Sequence, residues 1–253
     1  MKRIIYPSLA ILLASYVLIF FLVKLVIERQ AMDNIVRQAR AITVQAESAR
    51  AYASAMVGDK MFDPALLEEA QKYIRRSKAE THEEIIKAAR QTRFYRSIPI
   101  VAGWTIGQGI AHDALYNFRV VRIDARNPKN EATPLEKSML EKMDNENLYE
   151  HWIIDEEENV LRYMRPVVMK KECLYCHGTE KDYPDGGGYD VLGIKMEGWA
   201  LGEQRGAFEI ISDLKPVQEA VREVQMDLIT IGAFMTVIMA FVTAFWTLMG
   251  RKE

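Results

Sequence analysis

Two stretches of the chain carry no charged side chain, residues 4–23 and residues 228–249. Each is long enough for a helix to cross a hydrocarbon layer of roughly 30 Å. Past the first stretch, apolar positions alternate at spacings of three and four: Met32, Ile35, Ala39, Ile42, Ala46, Ala49, Ala53 and Met56. That is an alanine-rich heptad seam on one helix face. Val217, Val221, Val224 and Leu228 repeat the spacing before the second stretch. Two arrangements fit: a pair of rigid helices that join the middle of the chain to a bilayer, or an amphipathic helix packed on its own domain.

Between the seams the pattern changes. Gly58-Asp59 breaks the first long helix, and Asp63-Pro64 opens another. Thr81-His82-Glu83-Glu84 reads as a capping box, and Pro99 opens a helix that runs through Trp104 towards Leu115. A further helix starts at Thr133-Pro134. Alternating text follows at residues 118–123, 151–154, 160–164 and 206–211, with an acidic turn at 155–159. Helices followed by strands predict an α+β domain with an antiparallel sheet. Gly186-Gly187-Gly188 reads as a loop.

Hydrophobic residues make up 49% of the chain and charged residues 27%, which excludes both a disordered chain and a polytopic transporter. No clustered basic footprint for nucleic acid is present. Short basic flanks, Met1-Lys2-Arg3 and Gly250-Arg251-Lys252-Glu253, predict cytoplasmic termini in an inner membrane. The resulting domain plan has a cytoplasmic tip and signal anchor at 1–27, an extracytoplasmic (periplasmic) domain at 28–226, a second span at 227–250 and a tail at 251–253. The four residues that follow the uncharged stretch, 250–253, leave no room for a kinase or chemoreceptor output, so a separate membrane partner is expected.

The two cysteines of the chain stand in Cys173-Leu174-Tyr175-Cys176-His177. C-x-x-C-H is the attachment signature of c-type haem. Thiols three residues apart reach the two vinyl groups on one edge of the macrocycle, and the adjacent histidine supplies an axial imidazole to iron. Three alternatives stay open. A structural zinc site wants four ligands, and His82, His112 and His151 are scattered. A redox dithiol wants C-x-x-C at a helix start after a strand. A disulfide across two residues is strained.

Several stretches resemble a bacterial family, the haem-c-binding PAS-like periplasmic domain. They are Cys173 to Gly178, Gly193, Gly198-Trp199, Leu201-Gly202-Glu203 and Gly206-Ala207. Upstream, Phe118-Arg119-Val120, Arg126-Asn127-Pro128-Lys129-Asn130, Glu136, and Ser48-Ala49-Arg50-Ala51-Tyr52 match as well. The resemblance covers residues 30–214. It implies a PAS-like antiparallel sheet with long N-terminal helices, here flanked by two transmembrane helices, and one covalent haem. In the family the sixth iron ligand can come from the first helix, from a cysteine in some members. No third cysteine exists here, so Met56 and His112 are the candidate distal ligands, each weighed against an ordinary core role. Arg126 is a candidate for a haem propionate, and Asn127 for a turn. Gly103, Gly107 and Ala111 line a helix face that permits close approach.

The reading that follows is a membrane-anchored monohaem cytochrome-like protein with no catalytic residue. Its expected role is electron transfer as subunit or partner of a membrane redox complex, with a homo-oligomer as the other form of assembly. The alternative is a redox- or gas-sensing haem module that signals through a membrane partner.

Overall fold

The computed structural model describes residues 2–249. Met1 and residues 250–253, which carry part of the flanking-charge argument, lie outside the described residues. The chain divides into two compact units. One comprises the residues through Ile35 and those from Leu214 onward, and the other is Val36–Asp213.

The first unit is helical. It contains the start of α1 (Lys2–Gly58) and all of α8 (Lys215–Met249). The Tyr16 hydroxyl donates to the Leu228 carbonyl, and Gly232 leaves room for that ring. Both helices contain a stretch long and apolar enough to cross a membrane. Ile11, Phe21, Phe234 and Phe241 expose more than half of their surface, so these apolar faces are not buried within the unit.

The second unit is α+β. After the end of α1 come α2 (Ala65–Arg76), α3 (His82–Ala89), α4 (Arg93–Ser97) and α5 (Pro99–Asp113). Strands β1 (Asn117–Val121), β2 (His151–Asp155), β3 (Val160–Val168) and β4 (Gln204–Asp213) form a PAS-like antiparallel sheet in the order β1-β4-β3-β2. Helix α6 (Pro134–Asn145) lies between β1 and β2 in sequence, and α7 (Leu174–His177) between β3 and β4. The local signals explain the boundaries. Asp63 accepts from the Ala65 amide at 2.9 Å. Thr81 and Glu84 complete one capping box, and Thr133 and Glu136 another. Pro99 stands in the first turn of α5.

The seam of α1 settles on the second of its two readings within this unit. Ala39, Ile42, Ala46 and Ala53 are buried. A Cβ at Gly103 of α5 would stand 2.7 Å from the Ala46 carbonyl oxygen, so α1 and α5 meet at backbone distance. Gly107 faces the Phe118 ring in the same way. The small-residue face of α5 therefore serves close packing inside the domain. Phe118 and Phe208 extend that core, with ring centroids 5.4 Å apart. On the other side of the sheet, Met139 and Met143 of α6 pack with Val121, Met164 and Ala207.

Candidate cofactor site

A cavity of about 690 Å³ opens in the second unit, within the roughly 300–1,000 Å³ usual for cofactor sites. Its wall is largely apolar, with Ile98, Val101, Trp104, Val167, Met169 and Leu192 among the lining residues. Cys173, Cys176 and His177 line it together. Cys173 ends a short 3₁₀ turn (Lys171–Cys173), and the other two lie in α7. Both thiols are free.

His177 is held both in its ring plane and on its ring face. Its Nδ1 is hydrogen bonded to Glu197, and its ring stacks on Trp199 with centroids 4.5 Å apart and planes 11° from parallel. Arg122 pairs with the other oxygen of Glu197 and lies 4.3 Å above the Trp199 ring. Burial lowers the affinity of His177 for a second proton, and outweighs the pull of Glu197 in the other direction. The neutral ring therefore donates through Nδ1–H, which leaves the Nε2 lone pair available. Burial alone would raise Glu197. The interaction with His177, then the charge of Arg126 and the hydrogen bond from Arg122, overcome it and hold the carboxylate down at about 2.

Arg126 belongs to this network. Its Nη1 donates to Asp190 at 3.0 Å, and its Nη2 to the carbonyls of Cys176 at 3.0 Å and Lys195 at 2.8 Å. Its Nε lies 3.1 Å from Glu197. Arg126, expected to meet a propionate, lines the cavity, and its bonds within the protein fix the backbone between the second cysteine and the histidine. Asp190 in turn accepts from the amides of Leu192 and Ile194, both at 2.9 Å. Asn127 makes the expected turn, accepting from the Lys129 amide at 3.2 Å.

Arg50, from the family-like stretch of α1, is buried beneath the first cysteine. Its guanidinium pairs with Glu47 at 2.7 Å, donates to the Val168 carbonyl at 3.1 Å and comes within 3.8 Å of the Cys173 sulfur. Burial, with Asp190 adding to it, pushes the Cys176 thiol up to about 12. A dithiol built for redox exchange needs the opposite shift.

Met56 and His112 do not join the cavity. Met56 is half-buried on α1, whereas its neighbours Val57 and Gly58 line the wall. The side chain of His112 is 90% exposed and pairs with Asp113 at 3.5 Å, so the inward orientation expected for it is not found. Eight residues at 3.6 per turn rotate it about 80° away from Trp104. His82 is half-buried, and its Nε2 has no hydrogen-bond partner. Among the described residues no group of three His, Cys, Asp or Glu side chains is placed to hold a metal ion.

Glu197 and Arg122 gave no local signal. Trp199 did stand out, as part of the Gly198-Trp199 pair, but with no role attached. Each lies 20 or more positions from His177 in sequence and is paired with it only by the fold.

A PAS-like sheet with a cavity walled by helices and loops is a ligand-holding sensory or redox module in class. The chain belongs to the Tll0287-like family, whose model matches residues 28–212. Among solved structures it is similar to the cyanobacterial heme-protein Tll0287, at 19% identity and a TM-score of 0.34 over 62% of this chain and 93% of that one. No match is found among the curated proteins.

Proposed function

We propose that the cavity holds one c-type haem attached through Cys173 and Cys176, with His177 as its axial ligand. On this reading the module senses redox state or a small gaseous ligand for a membrane partner. The observation that carries the reading is the placement of His177, which lines one cavity with both thiols and is tethered at Nδ1 to Glu197, the arrangement that orients a ligating imidazole. Further features support it. Two free thiols stand beside that histidine at the required spacing. Lys60, Arg90 and Lys171 line the cavity and form no ion pair among the described residues, which leaves cations for the two carboxylates of a haem. Membership of a family named after a heme-protein agrees.

A bound haem supplies one-electron chemistry and an iron that can take a diatomic ligand. The protein's own residues hold the imidazole neutral, orient it and line the pocket with apolar surface. The module is read as non-catalytic, in keeping with its family. Among the described lining residues His177 is the sole histidine and Met169 the sole methionine. Neither expected distal ligand lines the cavity, and this favours an accessible sixth position, hence sensing over electron transfer.

The exposed apolar faces of α1 and α8 suit a lipid environment. We therefore keep both as membrane spans, with both termini cytoplasmic and residues 28–226 on the periplasmic side, where c-type haem is attached. The full chain, expressed with a c-type maturation system, should gain the mass of one haem that acidified acetone does not extract. Its reduced form should bind CO. Extractable haem would sink covalent attachment. A reduced form inert to CO but rapidly oxidised by a membrane redox partner would restore electron transfer as the better reading.

A further inference from the structure

An imidazole bound to a metal through one nitrogen keeps one internal freedom, rotation about the metal–nitrogen axis. Around His177 that freedom is closed from two directions. In the ring plane, Nδ1 is bonded to Glu197, and the carboxylate cannot swing, because Arg122 holds one oxygen and Arg126 approaches the other at 3.1 Å. On the ring face, Trp199 lies nearly parallel, 11° away at 4.5 Å. The backbone locks the two together: the Trp199 amide donates to the His177 carbonyl at 2.9 Å, and the Gly198 amide to the Gly178 carbonyl at 2.8 Å. Gly198 has φ of +75°, a conformation that an L side chain seldom adopts, so the residue before the tryptophan is suited to this approach.

Arg122 joins these restraints. One guanidinium pairs with Glu197 and also backs the indole at 4.3 Å, with Arg205 a second cation at 5.7 Å. Two cations beside the ring oppose a positive indole radical, which argues against Trp199 as an electron carrier in its own right. The geometry suits a wall.

We infer that Glu197, Trp199 and Arg122 form a bracket that sets the rotational angle of the His177 imidazole about its bond to iron. All three are positioning residues. The inference rests on the proposed haem site, and the test separates the two. Oxidised full-length holoprotein is examined by EPR, whose g-values respond to the orientation of an axial imidazole. Trp199→Ala should shift or broaden the g-values beyond the native line width, and Trp199→Phe, which keeps a flat ring, should restore them. Arg122→Lys keeps a charge for Glu197 but loses the planar stack, and should broaden them as well. A residue that merely supported the fold would change haem content or the unfolding midpoint and leave the g-values alone. Native g-values and widths in Trp199→Ala overturn the bracket. If that variant takes up no haem, Trp199→Phe and Arg122→Lys decide: a disturbed Phe variant beside a native Lys variant overturns it equally. A spectrum unchanged in His177→Ala would instead defeat the axial assignment, and the bracket with it.

Discussion

Beside His177, the guanidiniums of Arg122 and Arg126 meet two carboxylates, Glu197 and Asp190. On the α6 side of the sheet, Arg119 and Arg162 meet four: Glu136, Glu209, Asp155 and Glu158. Glu136 and Glu209 are both fully buried, and both approach Arg162 Nη1, at 3.4 and 3.3 Å. The same residue types give opposite outcomes. Burial raises Glu209, the neighbouring Glu136 adds to it, and the two arginines only partly offset this, leaving the group at about 8. Glu197, bonded to His177 and with arginines on both oxygens, is held at about 2. Burial opposes the charged form in each cluster, and the balance of hydrogen-bond donors and cations against carboxylates decides the direction.

The largest expected effect tests the balanced cluster. Glu197→Ala leaves Arg122 without its carboxylate, while Arg126 keeps Asp190, and should lower the unfolding free energy of the full chain by about 3 kcal/mol. Chemical denaturation of the apoprotein measures it, and a loss within error would mean that Arg122 finds another partner.

Next in size is the dependence on pH, which should have opposite signs at the two sites. Glu209 binds its proton more tightly when folded. Its contribution is present below its ordinary range near 4.5 and is lost as pH rises towards about 8. Glu197 binds its proton less tightly when folded. Its contribution is present above about 4.5 and is lost as pH falls towards about 2. Glu209→Gln should therefore flatten the alkaline limb of a thermal-midpoint profile, and Glu197→Gln the acid limb. Identical profiles for the two variants would remove the contrast.

The smallest effect separates helix capping from charge. Thr81→Ala and Thr133→Ala each remove a capping hydroxyl and should cost about 1 kcal/mol in denaturation experiments. Only the second should also displace the alkaline limb, since its box includes Glu136.

Elements governed by neighbours in sequence were legible. The capping boxes at Thr81 and Thr133, Pro99, the break at Gly58 and all four strands stand where the local pattern puts them, within a few residues. The short helix α4 was not foreseen, because Arg93–Ser97 is too brief to show a period. The strand order depends on contacts across the chain, as when β4 inserts between β1 and β3. The site divides along the same line. C-x-x-C-H declares itself by spacing, whereas Glu197 and Arg122 are recruited by tertiary structure. His112 misled because the buried stripe of α5 is Val101, Gly103, Gly107 and Ala111, a face to which it does not belong.

Glu136 has two employments. One oxygen accepts from the Thr133 amide at 2.7 Å and so starts α6, while the other receives Arg119 at 3.1 Å and Arg162 at 3.4 Å from the sheet. The first turn of α6 therefore cannot fray without also releasing a contact that spans β1 and β3. Exchange of the Thr133 and Glu136 amide hydrogens should accordingly report opening of the sheet, with protection well above that of an ordinary helix end. One carboxylate thus merges two secondary elements into a single cooperative unit of local unfolding.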